Sequence, residues 1–194
     1  MDKNPTHMES EQKIEAAQGL TPIVIDPGVV FGSGMHPTTL GCLEALGLTF
    51  GGSPMATVVD FGTGSGILAI AAARLGAGRI LAVDNNRLAV KTAKTNIALN
   101  GLENTVLAVQ GRAENFIDVD ADLLIANIHY DILRRIIETD GFLKKKMFIL
   151  SGLLRSEARD VDLRFSRLPV KMIQTWEHDH IWHTFWGEVS RDIF

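Results

Sequence analysis

The stretch ATVVDFGTGSGILAIAAARL, residues 56–75, joins a β-branched apolar run to an apolar helical run through three glycines. Glycine weakens the interior of both strands and helices, so its recurrence at positions 62, 64 and 66 indicates a turn that another group approaches closely. A strand, a glycine-rich turn and a helix N-terminus together form a place where a ligand can lie against the backbone, with amide N–H groups directed at it. The stretch therefore predicts a ligand-binding site at this joint.

Short apolar runs alternate with longer helical patterns from residue 57 onward. This alternation is typical of a parallel sheet with helices on both faces. The predicted strands cover residues 57–60, 79–84, 105–110, 122–127 and 147–151, and the predicted helices cover residues 38–48, 66–75, 87–100, 130–142 and 156–165. The predicted fold class is α/β, a Rossmann-like fold with a doubly wound, mostly parallel sheet.

The C-terminal segment VKMIQTWEHDHIWHTFWGEV, residues 170–189, changes to an alternating pattern. It predicts two strands around a polar turn near residues 178–180, so the sheet should end in an antiparallel hairpin. The segment also contains a His-x-His pattern of the kind that can bind a metal ion. Because this pattern falls at the turn, we predict no metal site.

Length and composition set the limits of the fold. With 194 residues, 46% of them hydrophobic, the chain can close one substantial core. We expect one domain over residues 21–194 and a frayed or helical lead-in over residues 1–20. The single cysteine, Cys42, lies in an apolar helical pattern and is interpreted as a small buried hydrophobe.

Composition also bears on location and partners. No stretch is apolar enough to indicate secretion or a membrane span, and one cysteine cannot form a disulfide framework, so the expected location is the cytoplasm. The formal charge of −4 disfavours nucleic acid as a partner without excluding it. The sequence leaves the oligomeric state open.

The spacing of the glycines narrows the choice of ligand. A dinucleotide fingerprint would need a third small residue at position 67, where this chain has Ile67, and no G-K-S/T sequence follows to form a phosphate-binding loop. What remains is Asp60 at the end of the strand, followed by G-x-G-x-G ending at Gly66. This looks like the loop that binds S-adenosylmethionine (SAM) in Rossmann-like methyltransferases, so Asp60, Gly62, Gly64 and Gly66 are candidate cofactor-binding residues.

Two further positions are candidates for contact with the same ligand. Asp84 ends the second predicted strand, where a carboxylate can accept hydrogen bonds from both ribose hydroxyls. The alternative is a turn or helix-capping acid before Asn85 and Asn86. Residues 111–114 follow the third strand, where the adenine edge is read in such folds; the alternative is a surface loop.

Three separated motifs agree on a family: DPGVVFGSGMHPTT (26–39), VVDFGTGSGILAIAAARLGA (58–77) and DLLIANI (122–128). In this order they closely resemble the PrmA family, the SAM-dependent methyltransferase of the eleventh large-subunit ribosomal protein. The resemblance implies a seven-stranded sheet whose last strand is antiparallel, and methylation of lysine ε-amines and an α-amine. It also implies SAM contacts at Thr39, Gly62, Asp84 and Asn127, with Phe31 and Gly64 nearby.

The departures from the family pattern affect the substrate. Family members bear a separate N-terminal domain that docks the ribosomal substrate, whereas about 20 residues precede the first motif here, so we expect the catalytic domain alone and leave ribosomal specificity open. After Asn127, His129 and Tyr130 replace the small residues of the family, which makes them candidate substrate-binding residues.

Asn127 is the predicted catalytic residue. Its side-chain carbonyl can accept an N–H from the substrate amine and so aim the nitrogen lone pair. The alternative is that Asn127 only ends a strand and caps the next helix.

The substrate class has alternatives. Residues 127–130 also resemble the asparagine-proline-proline-tyrosine motif of methyltransferases that act on planar amides and exocyclic amines of bases, although both prolines are missing. A base, an amide or a small molecule is therefore the second possibility, with Tyr130 stacking on the flat group. The simpler role for Tyr130 is packing in the first turn of an amphipathic helix. A SAM-binding module without turnover is the third possibility, and the basic residues 134–135 and 144–146 are interpreted as solvated faces.

Overall fold

The computed structural model describes residues 12–14, 22–26, 28, 30, 34–52 and 54–190, with only the backbone of residues 12–14. The strands are β1 (Gln12–Ile14), β2 (Ile23–Ile25), β3 (Thr57–Phe61), β4 (Arg79–Asp84), β5 (Val106–Gln110), β6 (Leu123–Asn127), β7 (Met147–Leu154), β8 (Val170–His178) and β9 (Trp182–Val189). The helices are α1 (Pro37–Gly52), α2 (Ile67–Arg74), α3 (Arg87–Leu99), α4 (Tyr130–Ile137), α5 (Asp140–Leu143) and α6 (Arg155–Phe165). A short 3₁₀ turn covers Ala113–Asn115.

Seven strands form one mixed sheet in the order β5-β4-β3-β6-β7-β9-β8. The first five are parallel, and β9 is antiparallel to both β7 and β8. Because β3 pairs with β4 on one side and with β6 on the other, the strand order reverses at β3. In an open α/β sheet this switch point leaves a crevice at the carboxyl ends of the strands, where ligands bind. The predicted fold class is confirmed.

Two apolar layers cover the sheet. Helices α1, α2 and α3 pack on one face around Cys42, Leu46, Ile70 and Ile97. Helices α4, α5 and α6 pack on the other face, where Leu133, Ile136, Phe142, Val161 and Phe165 are buried. The central strand β6 carries side chains that are fully buried on both faces, which explains its unbroken apolar sequence.

The predicted helix over residues 130–142 is in fact two helices. Thr139 ends the first helix, because its hydroxyl donates to Ile136 O at 2.7 Å and accepts from Phe142 N at 3.2 Å as the cap of the second. A threonine that bonds to nearby backbone competes with continuous helix in this way. The helix is therefore interrupted between Ile137, where α4 ends, and Asp140, where α5 begins.

The C-terminal hairpin is confirmed. Strands β8 and β9 are antiparallel, and His178 pairs with Trp182. Asp179 and His180 at the turn have φ angles of 52° and 57°, the mirror-image conformation that matches the twist of the two strands. Strand β7 extends to Leu154, beyond its predicted end at residue 151. Its register with β9 shifts between Leu150 and Leu153, where Gly152 has a φ of 85°, and pairing resumes at Leu153.

Two further sequence predictions are wrong within the described residues. Residues 12–14 form a strand that pairs with β2, where a frayed or helical lead-in was expected; the rest of residues 1–20 lies outside the described chain. Lys145 is not on a solvated face but is 1% exposed. Its ammonium donates to Ile117 O at 2.7 Å and to Val119 O, because the loop before β6 turns its carbonyls inward. Burial lowers the pKa of Lys145.

Two other features of the chain can be stated briefly. Cys42 is fully buried in the core, as predicted, and its burial raises the pKa of the thiol to about 12. Within the described ranges, no helix combines the length and the apolar character needed to cross a membrane.

Candidate functional site

The glycine turn follows β3 at the point where the sheet reverses its order. Gly62, Gly64 and Gly66 have φ angles of 70°, 56° and 87°, a region that side chains strongly disfavour. This conformation directs the amides of Gly62 and Thr63 to Val83 O, at 2.8 and 3.1 Å. Gly64 N donates to Asp84 Oδ2 at 3.0 Å, and Gly66 N donates to Thr63 O at 2.8 Å. The turn is therefore locked onto the end of β4.

This bonding corrects the expectation that the turn directs free amides at a ligand. The amides of residues 62, 63, 64 and 66 all have partners within the chain. The close approach that the glycines permit is made by the protein itself. A Cβ at Gly62 would lie 2.1 Å from Ile128 Cγ2, and one at Gly66 would lie 3.3 Å from Ala93 on α3. The turn therefore helps to define the shape of the site, whereas these four amides are engaged within the protein.

Asp60 lies beneath the turn and is 1% exposed. Thr63 Oγ1 donates to its Oδ2 at 2.6 Å, whereas its Oδ1 has no partner among the described residues. Burial raises the pKa of Asp60 to about 7, the bond from Thr63 opposes that rise, and the charge of Asp84 adds to it. A buried carboxylate with one oxygen unpaired is costly, so the site favours a cationic or N–H-bearing neighbour.

Asp84 has the turn role that the sequence left as an alternative, whereas Asn86 is the helix cap. Its Oδ1 accepts from Asn86 N at 2.9 Å and its Oδ2 accepts from Gly64 N. Asn86 in turn caps α3 by accepting from Leu88 N at 2.9 Å. The carboxylate is half-buried, and each of its oxygens has a second lone pair. Contact of Asp84 with a ribose remains a prediction that this geometry permits.

A cavity of about 470 Å³ opens on the α4 side of the switch point. Its volume lies within the range of ordinary small-molecule sites. It is lined by residues 62, 83–85, 111–114, 128–129 and 132, so all four residues after β5 that the sequence singled out reach it. Gly111 N donates to Asp84 O at 2.9 Å. Glu114 Oε1 lies 3.6 Å from Arg112 Nη2 and 3.6 Å from Arg135 Nη1.

Asn127 ends β6 on the other side of the switch point. Its Nδ2 donates to Thr38 Oγ1 at 3.2 Å, and Thr38 Oγ1 lies 2.8 Å from His36 Nδ1. Gly152 of β7 approaches from the other side: a Cβ there would lie 3.1 Å from Asn127 Oδ1 and 2.9 Å from Ile128 O. Sequence reasoning missed both Thr38, which lies in the motif over residues 26–39, and Gly152, which lies in the sequence SGLL at residues 151–154.

The segment before α1 is held from a distance. Asn96 of α3 accepts from Asp26 N at 2.9 Å and donates to Asp26 O at 3.0 Å and to Ser65 O at 2.8 Å. Asn100, one turn later, bonds both Val24 N and Val24 O. These two side chains bond the backbone of Val24 and Asp26 as a neighbouring strand would. Asn96 also connects Asp26 to Ser65 in the glycine turn.

Thr39 and Phe31 are the other two residues predicted to lie at the cofactor in this part of the sequence. Thr39 is buried in the first turn of α1, and its backbone N donates to His36 O at 2.9 Å. Its contact with a cofactor remains a prediction. Phe31 lies outside the described residues.

The two predicted substrate residues point to different places. His129 is exposed at the cavity and caps α4, where its Nδ1 accepts from Asp131 N at 3.4 Å. Tyr130 instead turns toward α6, and its hydroxyl donates to Asp160 Oδ2. This bond raises the pKa of Tyr130. Arg164 binds the same carboxylate, so the Tyr130 hydroxyl belongs to a contact between α4 and α6.

The histidines of the hairpin do not gather around a common point. His180 lies 3.3 Å from Glu177, while His178 packs over α1, so that a Cβ at Gly41 would lie 2.5 Å from its Nε2. In the part of the chain that the structure describes, no group of three or more metal-ligating residues occurs.

Comparison with known proteins agrees with this geometry. The family model described as ribosomal protein L11 methyltransferase (PrmA) matches residues 5–189. A relative from Anoxybacillus flavithermus, named ribosomal protein L11 methyltransferase, is 42% identical over 141 residues, which are 72% of this chain and 45% of the relative. One from Staphylococcus epidermidis with the same name is 38% identical over 168 residues, 86% of this chain and 53% of the relative. The chain thus spans about half the length of these curated relatives.

A solved structure of similar size is also known. The ribosomal protein L11 methylase from Lactobacillus delbrueckii subsp. bulgaricus superposes with a TM-score of 0.74 at 30% identity, covering 87% of this chain and 86% of that one. The family match, the sequence identity and the shared fold lead to one conclusion: this chain belongs to the ribosomal protein L11 methyltransferase (PrmA) family.

Proposed function

We propose that this chain is a SAM-dependent methyltransferase that methylates an amine of a protein, with ribosomal protein L11 as the substrate that the family name indicates. The observation that carries the proposal is the cavity at the switch point, which is lined by the turn after β3, the end of β4 and Ile128, the residue that follows Asn127 at the end of β6. A ligand bound there lies within reach of both halves of the sheet.

Three features support SAM as the cofactor. The cavity of about 470 Å³ suits a nucleoside, and Asp84 on its wall keeps lone pairs for ribose hydroxyls. Residues 111–114 line the same cavity, where we expect the adenine. The amides of residues 62, 63, 64 and 66 are bonded within the chain, which suits a ligand without phosphates. When bound, SAM supplies a methyl group whose C–S bond breaks as the new N–C bond forms, with the electrons leaving on sulfur.

The protein must make an amine nucleophilic and hold it in line. A lysine with a reference pKa near 10.4 needs roughly 4.6 kcal/mol to lose its proton at pH 7, and a desolvated site lowers that cost. Asn127 cannot remove the proton, but its carbonyl can accept one N–H and so aim the lone pair, while the released proton goes to water. Positioning of this kind supplies most of the catalysis in a direct displacement.

The test is transfer of tritium from methyl-labelled SAM to purified bacterial ribosomal protein L11 and to total cell extract. We expect label on L11 that protease removes and nuclease does not, and much less label with Asp84→Ala or Asn127→Ala. Label removed only by nuclease would support a base as substrate instead. SAM binding without label would support a module without turnover, and absence of SAM binding would overturn the proposal.

A further inference from the structure

The side chain of Asn127 can be oriented from its hydrogen bonds alone. Thr38 N lies 3.3 Å from His36 Nδ1 and can only donate, so Nδ1 is an acceptor and carries no proton. The Thr38 hydroxyl, 2.8 Å from the same Nδ1, therefore donates its proton there. Its oxygen is left to accept, so the group of Asn127 that faces it at 3.2 Å must be the NH₂.

We infer that Thr38 is a positioning residue for methyl transfer, because its hydroxyl fixes the amide of Asn127 with the carbonyl oxygen turned away from α1 and available to the acceptor amine. The hydrogen bonds run in one direction, from Asn127 Nδ2 to Thr38 Oγ1 and from Thr38 Oγ1 to His36 Nδ1. Without this chain, an amide can rotate by 180° and present NH₂, which repels an N–H donor. The inference rests on the proposed function.

Thr38 is well held for this role. It is 1% exposed, in the first turn of α1. Ser151 of β7 donates to Thr38 O at 3.4 Å, and Ser151 Oγ lies 2.6 Å from Thr184 Oγ1 of β9. The backbone of Thr38 thus lies against β7, and its hydroxyl is held by its own bonds to His36 and Asn127. A side chain held by packing and neighbouring bonds gives the precise geometry that catalysis needs.

The matched control is Thr49 in the same helix. It is 2% exposed, and its hydroxyl donates to Ala45 O at 2.7 Å, within the helix. Thr49→Val therefore removes a buried hydroxyl from α1 as Thr38→Val does, but leaves Asn127 untouched. A purely structural role for Thr38 predicts that the two variants behave alike.

The experiment measures turnover on L11 and SAM affinity for four single variants and one double variant. We expect Thr38→Val to lower kcat about 10- to 100-fold with the SAM Kd changed less than about threefold, and Thr38→Ser to restore most of the loss. Thr49→Val should leave kcat near that of the unaltered protein. In an Asn127→Ala background, Thr38→Val should cause little further loss, because it acts through Asn127. An equal loss in both backgrounds, or unchanged kcat in Thr38→Val, would overturn the inference.

A second measurement does not depend on turnover. The side-chain NH₂ protons of Asn127, observed by NMR in ¹⁵N-labelled protein, should exchange with water about tenfold faster in Thr38→Val than in the unaltered protein or in Thr38→Ser. Equal exchange in all three would overturn the inference even if the protein transfers no methyl group. Absence of transfer together with the expected exchange pattern would count against the proposed function alone.

Discussion

The glycine turn at residues 60–66 and the described part of the segment over residues 22–36, before α1, both shape the site, but different forces hold them. The turn depends on three positive φ angles that its own glycines permit. The earlier segment depends on Asn96 and Asn100, 70 and 76 residues away, whose side chains bond Asp26 and Val24. The glycines of the turn can be recognised from the sequence, because the backbone conformation is local. Hydrogen bonds from side chains 70 or more residues away cannot be recognised in this way.

The largest effect should come from Gly62→Ala. Its φ of 70° and the Ile128 Cγ2 atom 2.1 Å from the added Cβ should together lower the free energy of unfolding by about 4 kcal/mol. Gly101→Ala is the control, because its φ of 65° is similar but nothing lies within 4 Å. It should cost about 1 kcal/mol. Urea unfolding measures both, and equal costs would mean that contact with Ile128 is unimportant.

Asn96→Leu should have the next largest effect on the free energy of unfolding. It removes three buried or partly buried hydrogen bonds, two with Asp26 and one with Ser65, so we expect a loss of about 3 kcal/mol. Asn104→Leu, the same substitution in the exposed turn after α3, should change stability by less than about 0.5 kcal/mol. A small effect at Asn96 in urea unfolding would show that the earlier segment is held by packing alone.

Asp60→Asn tests the buried charge beneath the turn. The folded-state pKa of about 7 exceeds the unfolded value of 3.8, so between these pH values the folded protein holds an extra proton. Stability is therefore lost as pH rises from about 4 to 7. The asparagine variant lacks this loss, so without ligand it should be more stable than the unaltered protein by up to about 4 kcal/mol at pH 8 and nearly equal at pH 4. A constant difference across that range, in unfolding curves at several pH values, would contradict a raised pKa.

Tyr130→Phe should have the smallest effect. It removes the hydroxyl that bonds Asp160, at a cost of about 1 kcal/mol in thermal unfolding, and leaves the ring packed against the core of α4. We expect methyl transfer to continue. Loss of transfer at unchanged stability would instead assign the hydroxyl to substrate binding.

Periodicity predicted the sheet, the hairpin and the bounds of β4 and α3 closely, because these depend on residues adjacent in sequence. The break between α4 and α5 was missed because one hydroxyl, that of Thr139, decides it. Lys145 was assigned to the surface because charge alone does not show that two backbone carbonyls converge on it. At the site, motif positions identified Asp84 and Asn127, but their hydrogen bonds to Gly64 and Thr38 come from folding.

The central claim is that the crevice between β3 and β6 binds the cofactor, and the most direct test is a crystal structure of this protein with S-adenosylhomocysteine. We predict density at the switch point, with the ribose hydroxyls on Asp84, the adenine beside residues 111–114 and the sulfur facing Asn127. Density for the nucleoside elsewhere, or an empty crevice at saturating ligand, would contradict the account.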